Sequence, residues 1–173
     1  MNKQDILSRL DLLDEDTSYI FSENIRFRMV IVGGSALLLN EFIERSTYDI
    51  DVLIVSCELV QLLSKYDIDN RTSIYLFNFP YNFEDRLVKL DIGGRRIDFY
   101  TVSLEDIVIS KLYSSRVKDS IDIENELVLI HLDWELIDKI IMDENEVKAS
   151  SLNDRTFSEL FHSYEEFKRR FKK

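Results

Sequence analysis

The chain has 173 residues, of which 45% are hydrophobic and 12% aromatic, and its formal net charge is −11 at pH 7. This composition is typical of one folded domain and excludes a largely disordered chain, while the negative charge disfavours a protein that coats nucleic acid by bulk electrostatics. The single cysteine, Cys57, excludes a disulfide framework. Because the N-terminus is polar and acidic and no apolar run is long enough to span a bilayer, we expect a cytoplasmic protein without a membrane segment.

The first part of the chain predicts a short amphipathic helix and then a buried strand. Apolar residues recur at helical spacing over residues 3–14, and RMVIV at 28–32 is typical of a strand buried on both faces. Gly33 and Gly34 follow, and the run SALLLNEFIER then predicts a helix for which Ser35 is a suitable cap.

A second strand and a second helix are predicted next. TYDIDVLIV at 47–55 is aliphatic with alternating acids, which indicates a strand, and ELVQLLSKY at 58–66 indicates a helix. SIYLFNF predicts a further strand that ends at Pro80. The segments RLVKLDI and RRIDFYTV flank a Gly-Gly pair, which predicts a β-hairpin because glycine adopts positive φ angles at little cost.

Beyond residue 102 the sequence is predominantly helical. SLEDIVISKLYSS begins with a capping pattern formed by Ser103 and Asp106. Later helical runs end in one with an aromatic stripe and the basic tail FKRRFKK at 167–173. Such a tail is suited to the negative end of a helix dipole, and the alternative is a local RNA or phosphate contact. The aromatic stripe is either core or a surface that docks a partner protein.

The Gly33-Gly34 turn is the first candidate for chemistry. A strand that ends in a tight glycine turn before a helix directs backbone N–H groups and the positive end of a helix dipole at one point, which suits a phosphate. The alternative is that the glycine pair only makes a turn.

Asp49 and Asp51 are two residues apart on the predicted strand, so their side chains leave the same face, opposite to Tyr48 and Ile50. Two adjacent carboxylates repel each other unless a cation lies between them, and a divalent ion with oxygen ligands is the usual solution. In RRIDFYTV, Asp98 has the same setting. If its strand pairs beside 47–55, three carboxylates converge on a site for two Mg²⁺ ions. The alternative is an acidic strand face exposed to solvent.

These residues resemble the polymerase-beta-type nucleotidyltransferase superfamily, whose signature is a hydrophobic strand, Gly, Gly or Ser, a spacer of about ten residues and Asp-x-Asp or Asp-x-Glu. Here Gly34-Ser35 is followed by thirteen residues before Asp49, toward the long end of that spacing. The family's third carboxylate corresponds to Asp98. The resemblance covers roughly residues 28–122, and its specific part is the constellation from GGS to DID.

The segment SLEDIVISKLYSSRVKDSIDI is more narrowly similar to small bacterial nucleotidyltransferase-like proteins, which include the toxin components of abortive-infection toxin–antitoxin systems. In that group a lysine follows the third Asp on a helix, and a KDxxD motif comes next. Lys111 matches the lysine, and Lys118-Asp119 with Asp122 matches the motif. An ammonium group near the triphosphate would balance its charge. Without the resemblance, the alternative interpretation is that Lys111 is a surface lysine.

The resemblance implies an enzyme that transfers a nucleoside monophosphate from an NTP, with Mg²⁺ as cofactor. It assigns metal binding to Asp49, Asp51 and Asp98, and catalysis to these three and Lys111. The residues that it implies contact the nucleotide are Gly33, Gly34, Ser35, Lys111, Arg116 and Lys118. The acceptor hydroxyl belongs to RNA, a protein or a small molecule such as an aminoglycoside or lincosamide, and an antitoxin protein is an expected partner.

The predicted fold class is α+β: a small mixed β-sheet core with flanking helices and a helical C-terminal part. We expect a nucleotidyltransferase-like core with an N-terminal helix over residues 1–122 and a helical extension over 123–173, packed on the same domain. Two other functions stay open. One is a protein of the same fold that binds a nucleotide or a partner without turnover, and the other is an interaction module.

Overall fold

The computed structural model describes residues 1–172. The chain forms two compact units: the first comprises residues 1–74 and 87–102, and the second comprises residues 75–86 and the residues from Ser103 on. The chain leaves the first unit at residue 75 and returns to it at residue 87. The division into a core over residues 1–122 and an extension over 123–173 stays a prediction.

The first unit contains all the strands of the described residues. Its helices are α1 (Lys3–Ile20), α2 (Gly33–Leu39) and the short α3 (Val60–Leu63), which 3₁₀ turns flank on both sides. Its strands are β1 (Phe27–Ile31), β2 (Ile50–Val55), β3 (Ile68–Asp69), β4 (Val88–Lys89) and β5 (Ile97–Thr101). The strands form one sheet in the order β3-β2-β1-β5-β4.

The sheet is mixed. Strand β1 pairs antiparallel with β2 and parallel with β5, β2 pairs parallel with β3, and β4 pairs antiparallel with β5. With the helical C-terminal part described below, this confirms the predicted α+β class. The Gly93-Gly94 hairpin is also confirmed, since both glycines have positive φ and β4 and β5 pair on either side of them.

Buried apolar side chains of the central strands and of α1 form the core of this unit, among them Leu10, Met29 and Phe99. The buried carboxylate of Asp14 on α1 accepts hydrogen bonds from the backbone N–H groups of Arg95, Arg96 and Ile97 at 2.6–2.8 Å. One side chain of α1 therefore satisfies three backbone donors at the start of β5 and fixes the hairpin.

The second unit is helical. Its helices are α4 (Leu104–Leu112), α5 (Val117–Ile123), α6 (Glu126–His131), α7 (Trp134–Met142), α8 (Val147–Ser150) and α9 (Asp154–Phe171). Ser103 caps α4 by accepting a hydrogen bond from the N–H of Asp106, as its sequence predicts. The guanidinium of Arg86, which precedes α4 in the chain, bridges Asp106 on α4 and Glu146. None of the helices in residues 1–172 is both long and apolar enough to cross a bilayer.

Three predicted elements differ in the structure. SIYLFNF, residues 73–79 before Pro80, does not form a strand, because Arg71–Asn78 is a 3₁₀ segment. Helix α2 ends at Leu39 rather than near residue 45, since Glu41 adopts a left-handed φ of 63° that an α-helix does not accommodate. Strand β2 begins at Ile50, so the predicted strand alternation does not reach Tyr48, which is 91% exposed and does not share the buried face of Ile50.

Candidate active site

The Asp49-Ile50-Asp51 segment lies where the chain enters β2, and four backbone contacts hold it there. The N–H of Val32 donates to the carbonyl of Asp51 at 2.9 Å, and the N–H of Ile50 donates to the carbonyl of Asp67 at 2.9 Å. The hydroxyls of Ser35 and Thr47 donate to the carbonyl of Asp49. Ile50 is fully buried, whereas Asp49 and Asp51 are partly exposed, so the segment has a fixed backbone and two side chains at the edge of the solvent.

The glycine turn touches the same segment. A Cβ atom on Gly33, which has a φ of 64°, would lie 2.9 Å from Asp51 Oδ2, and a Cβ atom on Gly34 would lie 2.9 Å from Arg45 Nη2. At Gly33 the positive φ also disfavours any side chain, whereas at Gly34 a side chain would require the Arg45 guanidinium to shift. The Asp51 carboxylate and the Arg45 guanidinium therefore lie directly against the turn between β1 and α2.

Ser35 has a role that its sequence context did not indicate. Helix α2 has Val32 as its N-cap and no side-chain cap, so the expectation that Ser35 caps it is wrong. The fully buried Ser35 hydroxyl donates to the carbonyl of Asp49 at 3.0 Å and accepts from the N–H of Asp51 at 3.4 Å. Ser35 thus ties the first turn of α2 to both backbone groups that flank Ile50, which positions the two carboxylates.

The sheet places a second acidic segment beside the first. The tetrapeptide Tyr-Asp-Ile-Asp occurs twice, at 48–51 and at 66–69. The two copies pair in parallel and in register, with Ile50 opposite Ile68 and Asp51 opposite Asp69. Because residues opposite each other on neighbouring strands share a face, Asp69 emerges beside Asp51.

Arg71 completes this group of charges. Its Nε and backbone N–H donate to the carboxylate of Asp69 at 2.8 Å, and its Nη2 also contacts that carboxylate. Asp69 raises the pKa of Arg71, and the nearby charges of Asp49 and Asp51 raise it further. The arginine in turn lowers the pKa of Asp69 below its usual value.

Asp98 does not meet Asp49 and Asp51 in the way that the sequence suggested. The expectation required its strand to pair beside residues 47–55, but β5 pairs with β1. Asp98 lies opposite Arg28 on β1, whereas the carbonyl of Asp51 accepts from the N–H of Val32. Arg28 and Val32 are four residues apart, which is about 13 Å along the strand at the usual rise. Strand register therefore puts Asp98 and Asp51 at opposite ends of β1.

The surroundings of Asp98 are cationic. Arg26 Nη2 and Lys89 Nζ lie 2.8 and 3.0 Å from its Oδ1. Partial burial favours the protonated form of Asp98, but these two cations lower its pKa below the usual range. The carboxylate is thus ionised and committed to two ion pairs, and its role as a metal ligand or proton acceptor stays a prediction.

Within residues 1–172 no group of three or more His, Cys, Asp or Glu side chains is arranged to hold a metal ion. Mg²⁺, however, is usually bound through one or two carboxylates and completes its shell with substrate phosphates and water. Asp49 and Asp51, which are partly exposed and held on a fixed backbone, fit such a site. The assignment of Mg²⁺ to this pair stays a prediction.

Lys111 belongs to the second unit, where it forms a closed ion-pair network. It is 7% exposed, its ammonium contacts Asp119 Oδ1, and it lies 2.9 Å from Asp122 Oδ2. Burial favours the protonated form of Asp119, but Lys111, Ser114 and Arg116 lower its pKa below the usual value. The lysine and the KDxxD motif are therefore brought together as the resemblance suggested, but the ammonium binds the motif's two carboxylates.

The remaining predicted nucleotide contacts are also in the second unit. Arg116 Nε donates to Asp119 Oδ2 at 2.6 Å, although most of its side chain is exposed, and Lys118 is exposed on α5. In the basic tail, Lys168 and Lys172 both bind Asp138, and Arg170 binds Glu124. Lys173 lies outside the described residues. The tail is thus partly neutralised by acids of its own unit.

Sequence reasoning missed Arg45, Asp69 and Arg71. The sequence pattern predicts that Arg45 lies on a helix, but that helix ends six residues earlier in the structure. Asp69 lies on a strand of two residues, which is too short to show periodicity. The signal that was available is the repeated Tyr-Asp-Ile-Asp, because two identical alternating tetrapeptides are compatible with pairing side by side.

Comparison with known proteins gives a family. Residues 8–172 match the family described as nucleotidyltransferase of unknown function (DUF6036). The match covers nearly the whole chain, so the protein belongs to this family. Searches of curated proteins and of solved structures give no match.

Proposed function

We propose that this member of a nucleotidyltransferase family transfers a nucleoside monophosphate from an NTP to a hydroxyl acceptor in a Mg²⁺-dependent reaction. The observation that carries the proposal is the arrangement of β1, the glycine turn and β2. It brings the Asp51 carboxylate against Gly33 and holds Asp49 on the same fixed backbone. Phosphate-binding backbone and metal-binding carboxylates side by side are what nucleotidyl transfer requires.

Each residue of this arrangement has a role in the proposal. Asp49 and Asp51 would hold Mg²⁺, which supplies charge neutralisation at the phosphate oxygens when it is bound. The backbone N–H groups of Gly33 and Gly34 would bind phosphate oxygens. Ser35 positions the two aspartates through their backbone rather than contacting the nucleotide, since its hydroxyl is buried and bonded on both sides.

The reaction balances as an in-line displacement. The acceptor oxygen forms a bond to the α-phosphorus, the bond between that phosphorus and the bridging oxygen breaks, and pyrophosphate leaves with the electron pair. The acceptor hydroxyl loses its proton to a carboxylate of the site or to water. Lys111 and Asp98, which the resemblance places in the catalytic set, are not needed for these steps, because each is already bonded to oppositely charged side chains.

Charge favours a small cationic acceptor over a long RNA. The chain carries a formal charge of −11, and cations of the basic tail are bonded to Asp138 and Glu124. RNA binding relies on clustered cations that neutralise phosphates, whereas an aminoglycoside is attracted to acids. A protein hydroxyl and a role as a toxin with an antitoxin partner, in the cytoplasm of a bacterium, are the other acceptor and partner proposals that the family resemblance supports.

The placement of Asp98 favours one alternative. If catalysis in this fold needs a third carboxylate on the neighbouring strand, Asp98 at the far end of β1 does not supply it. The protein would then bind a nucleotide or a partner without turnover. Pyrophosphate release separates the two functions, because only the transferase produces it.

The test is incubation of the purified protein with each α-³²P-labelled NTP, Mg²⁺ and a bacterial lysate, its RNA fraction or an aminoglycoside. The double variant Asp49→Asn/Asp51→Asn is the negative control, and Asp67→Asn, in the second Tyr-Asp-Ile-Asp copy, is the matched control. Label transferred by the wild type and by Asp67→Asn but not by the double variant supports the transferase. The alternative is supported if the protein binds NTP with Mg²⁺ but neither transfers label to any acceptor fraction nor releases pyrophosphate from the NTP.

A further inference from the structure

Three cations converge beside the β4–β5 hairpin, at the end of β1 remote from the proposed metal site. Arg26 Nη2 and Lys89 Nζ lie 2.8 and 3.0 Å from the same carboxylate oxygen of Asp98. Arg26 Nη1 and Arg96 Nη1 donate to the same backbone carbonyl, that of Arg95, at 3.2 and 2.8 Å. We call Arg26, Lys89 and Arg96 the hairpin cations. Within residues 1–172, Asp98 is the one acid that bonds to any of them.

Arg96 has the least complete set of partners of the three. In the described part of the chain its guanidinium makes one hydrogen bond, to the Arg95 carbonyl. Its Nε atom is buried and has no hydrogen-bond partner among the same residues. Because a buried donor without a partner costs free energy, the chain by itself leaves this guanidinium incompletely satisfied.

We propose that the hairpin cations bind an oxyanion of the phosphate class, either free phosphate or the phosphate group of a small molecule. Guanidinium groups bind phosphate oxygens through paired N–H donors, and an ammonium binds them as a point charge. Arg26 and Arg96 already direct N–H groups to one shared oxygen, so neighbouring oxygens of one phosphate are within their reach. A paired contact from Arg96 would also give its Nε atom an acceptor.

The surroundings favour a small anion over a nucleic acid. The hairpin cations are a compact group on a chain whose formal net charge is −11, whereas nucleic-acid binding relies on many cations along the phosphate backbone. The side chains of Arg26 and Lys89 are 47% and 62% exposed, so an anion reaches them from solvent. Asp98 competes with such an anion for both of these cations.

The competing explanation is that the three cations only stabilise the hairpin. A purely structural cluster has no affinity for phosphate, and removing the Asp98 carboxylate would create none. In a binding site, removal of that carboxylate leaves Arg26 and Lys89 to the anion. Asp98→Asn should therefore raise the affinity for phosphate by about 10-fold, the effect of one charged hydrogen bond that no longer competes.

The experiment follows the arginine Nε–H signals of the full chain by ¹H–¹⁵N NMR during titration with inorganic phosphate, ribose 5-phosphate or a short single-stranded RNA. EDTA is present, so that no metal-bound phosphate contributes, and the Arg96→Gln variant identifies the Arg96 signal. We expect both small anions to shift that signal. Arg26→Gln and Lys89→Gln should each weaken binding by about 10-fold. The matched control is Arg95→Gln, whose guanidinium bonds to Asp11 instead, and it should change nothing.

The proposal is overturned if neither small anion shifts the Arg96 signal. Unchanged phosphate affinity in both Arg26→Gln and Lys89→Gln, or a lower affinity in Asp98→Asn, would also overturn it. A response to the RNA alone would replace it with a nucleic-acid contact. Because Lys89 is largely exposed, Lys89→Gln stays informative if an arginine variant does not fold. Since no Mg²⁺ or NTP is present, none of these results bears on the transferase proposal.

Discussion

The two units contain pairs of aspartates with opposite surroundings. In the first unit, Asp49 and Asp51 are partly exposed, and hydrogen bonds to their backbone hold them in place. In the second unit, Asp119 and Asp122 are buried, and the side chain of Lys111 joins them. The backbone of the first pair is fixed while its side chains are partly exposed, whereas the carboxylates of the second pair are buried against the Lys111 ammonium. We propose on this basis that the first pair serves chemistry and the second serves stability.

The sharpest way to break this comparison is to neutralise the first pair. Asp49→Asn or Asp51→Asn should lower nucleotidyl transfer by at least about 1000-fold, equivalent to about 4 kcal/mol, since a ligand of the metal site is lost. The melting temperature should change little, because both side chains are partly exposed and the hydrogen bonds to their backbone are kept. Asp67→Asn serves as the control in a steady-state assay. A large loss of stability in either variant would contradict the assignment.

The second pair should behave in the opposite way. Lys111→Met leaves two buried carboxylates without their cation, so it should lower the free energy of unfolding by about 3–5 kcal/mol. Urea denaturation measures the change, and Lys148→Met, at an exposed lysine of α8, is the control. A Lys111→Met variant that keeps its stability and loses transfer activity would instead support the catalytic role that the family resemblance gives to this lysine.

The glycine turn provides a test of intermediate size. Gly33→Ala introduces a Cβ atom 2.9 Å from Asp51 Oδ2 at a φ of 64°, so we expect a loss of about 1–2 kcal/mol from backbone strain and a further loss of activity as the carboxylate is displaced. Thermal unfolding and transfer assays measure the two effects. The control is Gly94→Ala, which has a similarly positive φ but only a backbone oxygen at 4.0 Å from the new atom. Equal activity in both variants would show that close approach to Asp51 is unimportant.

The smallest effect is expected at Asp138 in the second unit. Partial burial favours its protonated form, but Lys168, Tyr164 and Lys172 lower its pKa from 3.8 to about 2. A carboxylate with a lowered pKa in the folded state stabilises the protein above about pH 4, and this stabilisation is lost as the pH falls toward 2. Because solvent screens this partly exposed carboxylate, the contribution is at most about 1 kcal/mol.

At pH 6 the Asp138→Asn variant should therefore have a lower free energy of unfolding than the wild type. Near pH 2 the free energies of unfolding of the two proteins should be close. Urea titrations at several pH values measure the difference. A difference between the two proteins that does not depend on pH would mean that the asparagine disturbs packing rather than removing a charge.

Local patterns predicted much of the fold. The strand before Gly33, the Gly93-Gly94 hairpin and the Ser103 cap follow from apolar runs, positive-φ glycines and cap chemistry over a few residues, and the structure contains all three. Helix α2 was predicted too long because the left-handed conformation of Glu41 that terminates it is not encoded by a glycine or proline.

The candidate site was harder to predict because its geometry is tertiary. Strand pairing and register put Asp98 at the far end of β1 from Asp51, and they put Asp69 next to Asp51. Neither the spacing nor the alternation of residues specifies which strands pair. The Ser35 hydroxyl bonds to backbone fourteen residues away, which no local pattern reveals. The Asp49-x-Asp51 pair itself was predictable because both carboxylates lie on one short segment.

The most direct test of the central claim is electron paramagnetic resonance of Mn²⁺ titrated into the protein in the presence of NTP. Mn²⁺ substitutes for Mg²⁺ at oxygen ligands, so the spectrum reports the metal directly. The account predicts bound Mn²⁺ in the wild type and in Asp67→Asn, and its loss in Asp49→Asn/Asp51→Asn. Equal Mn²⁺ binding by the double variant, confirmed as folded, would contradict the claim that these two aspartates hold the metal.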